Sequence, residues 1–205
     1  MTRANRAFDQ HGVWHITHRC HNKQFLLTFA RDRRLWRSWL FEARRRYGLS
    51  VLNYIVTRNH IHLMVATDDK YTLPRAMRLV AGQTAQKYNR RKARHGAFWE
   101  DRYHAVPIKT QSHLIECLVY VDLNMVRAGV VSHPRFWPNS GYHEIQNPRK
   151  RYVVIDYERL LQLVGEKSVP NLQRHHRNWI EAKLANGALD RDERWTRVES
   201  SNELA

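Results

Sequence analysis

The 205-residue chain contains few cysteines, few acidic residues and no long apolar run. Its two cysteines, Cys20 and Cys117, form no Cys-x-x-Cys pair, which argues against a zinc ribbon or a thioredoxin-type motif; we expect two buried, reduced thiols. No apolar stretch approaches the roughly 18 to 20 residues of a membrane span. Residues 1–6 lead into no apolar segment of a signal peptide. We therefore expect a cytoplasmic protein with no membrane partner.

The shortage of acidic residues is the first indication of function. Lysine and arginine number 35 against 19 aspartates and glutamates, which gives a formal net charge of +16. A surplus of this size is typical of proteins with a polyanionic partner, and arginine suits bidentate contacts to phosphates and guanine edges. Charge alone does not separate DNA from RNA, or either from an acidic membrane or a ribosome. Nucleic acid is the expected partner.

The residue pattern predicts an α+β fold in the order β-α-β-β-α-β-α. The predicted strands are 13–20, 51–57, 60–66 and 103–108, and the predicted helices are 31–47, 72–89 and 112–128. A basic loop is expected at 90–96. Four antiparallel strands with helices on one face form the ferredoxin-like (RRM-like) arrangement. Residues 1–147 are expected to form this domain, and residues 148–205 a basic C-terminal extension of uncertain order.

Two histidines stand one residue apart in a predicted strand. Because side chains alternate across a strand, His60 and His62 project from the same face, while Ile61 projects into the core. Two adjacent imidazoles can bind one divalent ion and leave coordination positions for a substrate phosphate. The alternative is a pair of ordinary histidines near a strand end, and the motif becomes informative only with a partner element.

The predicted helix at 112–128 supplies such an element. Its apolar residues form a core-facing stripe. Tyr120, Asn124 and Arg127 follow one another at i, i+4 and i+7 along the flank of that stripe. A phenol, an amide and a guanidinium in this arrangement suit a nucleophile, a metal ligand and a phosphate clamp. The alternative is a tyrosine packed at the rim of the sheet, with Asn124 and Arg127 in solvent.

Three blocks of the sequence resemble the signatures of the REP-associated tyrosine transposases and occur in the order expected for that family. These proteins are relatives of the single-tyrosine insertion-sequence transposases of the HUH type. The resemblance covers roughly residues 11–145. One departure is Met125, where the family usually has proline; because Met125 lies on the apolar stripe, we expect consequences for packing only. The blocks are Arg58-Asn59-His60-Ile61-His62-Leu63, Phe98-Trp99-Glu100-Asp101-Arg102-Tyr103 and Tyr120-Val121-Asp122-Leu123-Asn124-Met125-Val126-Arg127-Ala128-Gly129.

The resemblance implies a function as well as a fold. By position, Tyr120 matches the catalytic tyrosine, and His60, His62 and Asn124 match the ligands of a divalent metal, Mg²⁺ or Mn²⁺. Members bind single-stranded DNA with a REP hairpin, nick beside it through a 5′-phosphotyrosine intermediate and can rejoin strands. A bacterial, nucleoid-associated monomer is expected, with a dimer as the alternative because insertion-sequence relatives are dimeric.

A further set of basic, aromatic and amide side chains is predicted to contact the DNA, since unpaired strands are bound by positive charge and aromatic faces. Trp99 could equally belong to the core. The tail motif Arg174-His175-His176-Arg177 either adds phosphate contacts, covers the active site or is solvated. The predicted DNA-binding residues are Arg19, Asn22, Arg90, Arg91, Arg94, Trp99, Arg102, Tyr103, Lys109 and Arg127.

Two other functions are considered beside the nicking enzyme. A binding protein on the same fold would hold hairpin DNA or RNA without turnover, but pure binding does not require a metal triad with a tyrosine. A replication initiator or conjugative relaxase shares the histidine pair, but those proteins are usually larger and carry a helicase. The sequence therefore favours a metal-dependent DNA strand-nicking enzyme.

Overall fold

A computed structural model describes residues 12–187 of the chain. The strands form one antiparallel sheet in the order β2-β3-β1-β4, which is the ferredoxin-like order predicted from the sequence. None of the helices between residues 12 and 187 is long and apolar enough to cross a membrane. The elements are β1 (Gly12–Arg19), α1 (Ala30–Tyr47), β2 (Ser50–Val56), β3 (His60–Thr67), α2 (Thr72–Arg91), β4 (His104–Ile108), α3 (Gln111–Asp122), α4 (Asn124–Arg127), α5 (Gly141–Gln146), α6 (Tyr157–Val164) and α7 (Val169–Ala185).

The two faces of the sheet carry different chemistry. In the β1–β3 register Ile16 lies opposite Leu63, and Thr17 lies opposite His62. Because successive side chains alternate, the isoleucine and leucine share one face and the polar pair shares the other. Helices α1 and α2 cover the apolar face, where Trp36 of α1 lies 6.3 Å from the ring of Tyr54.

Helix α3 packs against the opposite, histidine-bearing face. The amide of Asn53 in β2 donates to the carboxylate of Asp122 at 3.1 Å, and the ring of Tyr120 lies 5.8 Å from that of His62. The α+β, ferredoxin-like fold is thus confirmed, with one correction: α1 and α2 share a face as expected, but the third helix does not join them. The apolar stripe of α3 packs on the histidine-bearing face of the sheet. Residues of β2 and β3 are therefore buried on both faces.

The third helix ends earlier than predicted. It begins at the expected cap, since the Thr110 hydroxyl accepts from the backbone N–H of His113 at 3.2 Å. A continuous helix to Ala128 was wrong, because the backbone leaves helical geometry at Leu123 with φ −79° and ψ 1°. The single turn α4 follows, and Gly129 ends it at φ +66°, a conformation that glycine adopts without penalty.

The basic stretch at 90–96 is also divided differently from the prediction. Helix α2 runs on to Arg91, so Arg90 and Arg91, the first two arginines of the stretch, are helical. Arg91 pairs with Asp32, which is buried in α1. The loop itself begins only at Lys92 and turns through Ala93, whose φ is +46°. Part of the predicted basic loop therefore ties α2 to α1.

The described part of the extension, residues 148–187, packs on the same core as the sheet. Leu160, Val164 and Leu172 are buried in the main cluster, and Ile180 packs with Val119 of α3. His176 is fully buried and lies 2.7 Å from the carboxylate of Asp122, so the expectation of a solvated or phosphate-binding His176 was wrong. The predicted domain boundary at residue 147 stays a prediction. Residues 1–11 of the predicted domain and 188–205 of the predicted extension lie outside the described residues.

Both cysteines are free and buried, as the sequence predicted. Burial raises the pKa of the Cys20 thiol to about 12. Burial, with the neighbouring charge of Asp122, raises the pKa of Cys117 well above its ordinary value. Both side chains therefore serve the core as small apolar groups and are not poised for thiolate chemistry.

Candidate active site

A hollow of about 580 Å³ opens where the first and third strands meet α3 and α4. It lies at the end of the sheet at which Arg19 pairs with His60. The hollow brings together the predicted nucleophile, all three predicted metal ligands and three of the predicted DNA-binding arginines. Its lining is Thr17, His18, Arg19, Lys23, Asn59, His60, His62, Glu100, Asp101, Arg102, His104, Tyr120, Asn124, Arg127 and Ala128.

The contacts of His60 assign its proton to Nδ1. The amide of Asn59 donates from Nδ2 to the Lys23 carbonyl at 3.0 Å, so its Oδ1 faces His60 Nδ1 at 2.8 Å. The Thr57 hydroxyl donates to the His60 carbonyl at 2.8 Å and can only accept from Nδ1 at 3.0 Å. Two acceptors at Nδ1 mean that Nδ1 carries the hydrogen, which makes Nε2 the nitrogen with the lone pair.

His62 is oriented in the same way by a different residue. Its Nδ1 lies 2.9 Å from Nε2 of His15, and the two rings are nearly parallel, with an interplanar angle of 7° and centroids 5.1 Å apart. Burial lowers the pKa of His15 to about 3, and His113 and Arg127 add to that effect. His15 is therefore a neutral imidazole that can accept from His62 Nδ1 and leave the His62 Nε2 lone pair facing Asn124, 2.9 Å away.

These residues fit a divalent metal by the chemistry of their donors. The rings of His60 and His62 lie 5.0 Å apart and, on these assignments, both carry their lone pair on Nε2. The amide of Asn124 faces His62 Nε2 and can present oxygen instead of nitrogen by a flip of its end. Because Asn124 lies 2.9 Å from His62 Nε2, its amide oxygen would be the third protein ligand.

Tyr120 lies at the wall of the hollow with its side chain mostly buried. Its ring stands nearly perpendicular to those of His62 and His15, at 5.8 and 6.0 Å. The guanidinium of Arg127 lies over the tyrosine ring at 3.9 Å and donates to the Tyr120 carbonyl at 2.7 Å. Because that bond spans the break at Leu123, Arg127 ties α4 to α3 and places a cation beside the phenol.

Three of the predicted DNA-binding residues line this hollow. Arg19 forms a loose pair with Glu100 at 3.7 Å, and both side chains remain more than 40% exposed. Arg102 is exposed in the lining of the hollow, and Arg127 stands above the ring of Tyr120. With Lys23 they outnumber the two carboxylates of the lining, Glu100 and Asp101, so the hollow carries a net positive charge.

The other seven predicted DNA-binding residues do not line the hollow. Trp99 is partly buried against α2, where its indole N–H donates to the Ala81 carbonyl at 3.0 Å and its ring stacks on His18 at 4.1 Å. Arg94 holds its own loop through the Ala97 carbonyl at 2.8 Å. Tyr103 is half-buried beside His18. Arg91 pairs with Asp32 as described, while Asn22, Arg90 and Lys109 are exposed at the surface.

Sequence reasoning did not predict that His15, Thr57 and Asn59 contact and orient the proposed metal ligands. Asn59 stood inside a signature block and directly beside His60, so its contact was within reach of the sequence. The sequence places His15 only within the predicted first strand, 13–20. Its contact depends on the register that places Thr17 opposite His62, and a strand sequence does not reveal which residue of another strand it will face.

Comparisons with known proteins identify the family of the chain and agree with its fold. The family model described as "Transposase IS200 like" matches residues 10–124, more than half of the chain. A REP-associated tyrosine transposase bound to a REP hairpin superimposes with a TM-score of 0.59 at 18% identity, covering 70% of this chain and 84% of that one. A candidate transposase from Deinococcus radiodurans R1 is matched over 55% of this chain and 91% of that one, at 12% identity and a TM-score of 0.41. No curated protein matches the chain.

The site and the family model together define the class. The histidine pair of the central strand β3 faces Tyr120 of α3 within the matched region. The chain belongs to the IS200-like transposase family.

Proposed function

We propose that this protein is a metal-dependent endonuclease and strand transferase that nicks single-stranded DNA through Tyr120. The observation that carries the proposal is the convergence of Tyr120, His60, His62 and Asn124 on one hollow bordered by arginines. Family membership supports a transposase role, and the geometry supplies a residue for each step of it.

Tyr120 is the nucleophile of the proposed reaction. Its phenolic oxygen attacks the scissile phosphorus, and the bond from phosphorus to the 3′ oxygen breaks. The phenol loses a proton and the departing 3′ oxygen gains one, so the step is balanced without a co-reactant. The product is a 5′-phosphotyrosine with a free 3′-OH, and attack by a 3′-OH on that link rejoins strands without ATP.

His60, His62 and Asn124 would hold Mg²⁺ or Mn²⁺. The bound ion supplies Lewis-acid polarisation of the scissile phosphate. The protein keeps both ligating imidazoles in one tautomer, through Asn59 for His60 and through His15 for His62. The cation of Arg127 stands over the nucleophile and can bind the same phosphate that Tyr120 attacks.

A hairpin is the proposed substrate. The REP-associated transposase of similar fold was solved with a REP hairpin bound. The present hollow is open, carries the basic side chains of Arg19, Arg102 and Lys23, and is lined mostly by polar and charged residues. Such a surface suits the foot of a hairpin and the unpaired strand beside it. The predicted contacts of Asn22, Arg90, Arg91, Arg94, Trp99, Tyr103 and Lys109 belong to this proposal as outer or supporting residues.

A covalent-adduct assay tests the proposal. The full chain is mixed with labelled single-stranded DNA that carries a hairpin and its genomic flank, with Mn²⁺ or Mg²⁺, and is run on a denaturing gel. We expect a metal-dependent protein–DNA band that is absent in Tyr120→Phe. Because this change removes only one oxygen, the fold and DNA binding should persist.

Tyr71→Phe is the matched control. Tyr71 is 56% exposed at the start of α2 and lies outside the hollow, so its adduct yield should equal that of the wild type. Tight hairpin binding with no adduct under any metal would overturn the nicking mechanism and favour the binding protein on the same fold.

A further inference from the structure

A second hollow, of about 290 Å³, lies between α1 and the loop that precedes α6. It shares no lining residue with the first hollow. Its lining combines arginines with aromatic rings: Arg34, Arg37, Arg149, Trp39, Phe41 and Tyr152. We call this feature the α1 groove.

Tyr152 is the unusual residue of the α1 groove. Its side chain is 71% exposed, although a tyrosine ring offers much apolar area for burial. Its backbone has φ +54°, a left-handed conformation that is rare for a bulky residue. Phe41 of α1 supports the ring edge-to-face at 5.4 Å. One face of an aromatic ring is thus presented to solvent at the cost of backbone strain, a combination often found at binding sites.

The loop that carries Tyr152 is held from both sides. The backbone N–H groups of Val154 and Ile155 donate to the buried carboxylate of Glu144 at 2.6 and 2.8 Å. The guanidinium of Arg44 donates to the Val153 carbonyl at 3.0 Å. Tyr152 is therefore a ring on a fixed support, which loses little conformational entropy when a ligand stacks on it.

The charge of the α1 groove is positive. Between residues 12 and 187, no carboxylate forms an ion pair with Arg34 or Arg37. The acidic residue of the lining, Glu42, bonds to Arg45 and Arg46 at 3.0 and 3.1 Å, and those bonds lower its pKa. An anion entering the groove therefore meets the exposed guanidinium of Arg34 and the half-buried Arg37. The charge of the Glu42 carboxylate is balanced by Arg45 and Arg46.

We propose that the α1 groove is a second binding site for an unpaired DNA strand. A base stacks on Tyr152, and its flanking phosphates contact Arg34 and Arg37. Stacking on an aromatic ring beside arginines is how single strands are bound without regard to sequence, whereas a paired duplex has no free base face to offer the ring. The site would hold a segment of the strand that does not occupy the first hollow.

Photocrosslinking locates the bound strand directly. The full chain is irradiated with an oligothymidylate of about 12 nucleotides, long enough for a single site and unable to form a hairpin, and the crosslinked peptides are mapped. We expect crosslinks at Tyr152 or in α1 near Trp39. Crosslinks confined to the residues of the first hollow would overturn the proposal.

Affinity for the same oligonucleotide gives a second readout. Tyr152→Ser should weaken binding at least about fivefold, the low end for loss of one stacked base. Arg34→Ala should weaken it and reduce its dependence on salt. Tyr71→Ser is the matched control, because Tyr71 is also an exposed tyrosine beside cations, Lys70 and Arg75, but lines neither hollow.

Equal effects of Tyr152→Ser and Tyr71→Ser would also overturn the proposal. The adduct assay on the same preparations distinguishes a failure of the α1 groove proposal from a failure of the nicking mechanism. Tyr152→Ser should still form the adduct through Tyr120 on a minimal hairpin, because Tyr152 is not part of the first hollow.

Discussion

Helix α3 carries two histidine-centred polar sites, one open and one sealed. On the open side Tyr120 faces His62, whose neighbours His15 and Asn124 line or border the hollow. On the sealed side Asp122 bonds to His176 at 2.7 Å and to Asn53 at 3.1 Å. Asp122, His176 and Asn53 are at most 1% exposed.

The two sites differ in their access to solvent rather than in their number of partners, because the central histidine of each has protein partners at both ring nitrogens. His176 bonds through Nε2 to Asp122 and through Nδ1 to the Gln146 amide at 2.8 Å, so both nitrogens have protein partners in a closed interior. His62 directs Nε2 towards a water-accessible hollow and a flippable amide. A buried and satisfied network stabilises one arrangement of the fold, whereas lone pairs that face a hollow can bind a ligand.

Removing the open-side imidazole should have the largest effect on activity. We expect His62→Ala to reduce adduct formation by more than about 100-fold, beyond the 10–100-fold typical of residues that only support a ligand. The same variant should lose Mn²⁺ affinity, measured by calorimetry. His176→Ala, assayed while still folded, is the contrast and should form the adduct. An active His62→Ala would place the metal elsewhere.

His15 offers a sharper test within the open site. The Oε1 of a glutamine can reach the position of His15 Nε2, whereas the shorter asparagine mimics Nδ1 and falls short. We therefore expect His15→Asn to weaken Mn²⁺ binding about 10- to 100-fold and His15→Gln to recover part of it. If both variants lose stability equally and bind Mn²⁺ like the wild type, His15 is a packing residue only.

Much of the open site was predictable because it is local in sequence. His60 and His62 share a strand, Tyr120 and Asn124 are one helical turn apart, and alternation and helical spacing fix which face each pair occupies. The order of strands followed from the pattern of elements as well. The break at Leu123 was not predictable, because the local pattern around it remains helical.

The sealed site was missed because its contacts are long-range. Asp122 and His176 lie 54 residues apart, and His176 stands in a basic run that resembles a solvated tail. Only the packing of α7 on α3, through Ile180 and Val119, brings them together. The same limit applies to His15, whose contact with His62 depends on strand register.

Opening the sealed site should affect stability and leave the chemistry unchanged. His176→Ala leaves the Asp122 carboxylate and the Gln146 amide without their partner, at a cost of about 1–3 kcal/mol in the free energy of unfolding. His175→Ala is the matched control: its side chain is 41% exposed, although its partner Glu166 is only 11% exposed, so we expect a smaller change, below about 1 kcal/mol. Urea unfolding of both variants measures the difference, and equal values would mean that the buried network contributes nothing.

The smallest expected effect is on thiol reactivity. Cys117 lies in α3, and burial raises its pKa well above the ordinary value, so native protein should resist alkylation between pH 7 and 9. Because the folded pKa of Cys20, about 12, also exceeds that of an exposed thiol, the folded state holds the proton more tightly, and stability should fall as pH rises past the unfolded value. Opening of the α3–α7 contact in His176→Ala should speed Cys117 alkylation severalfold, while Tyr120→Phe, on the open side, should not. Equal alkylation rates in the two variants would mean that the two sides of α3 open together. The open and sealed sites would then differ in structure but not in local unfolding.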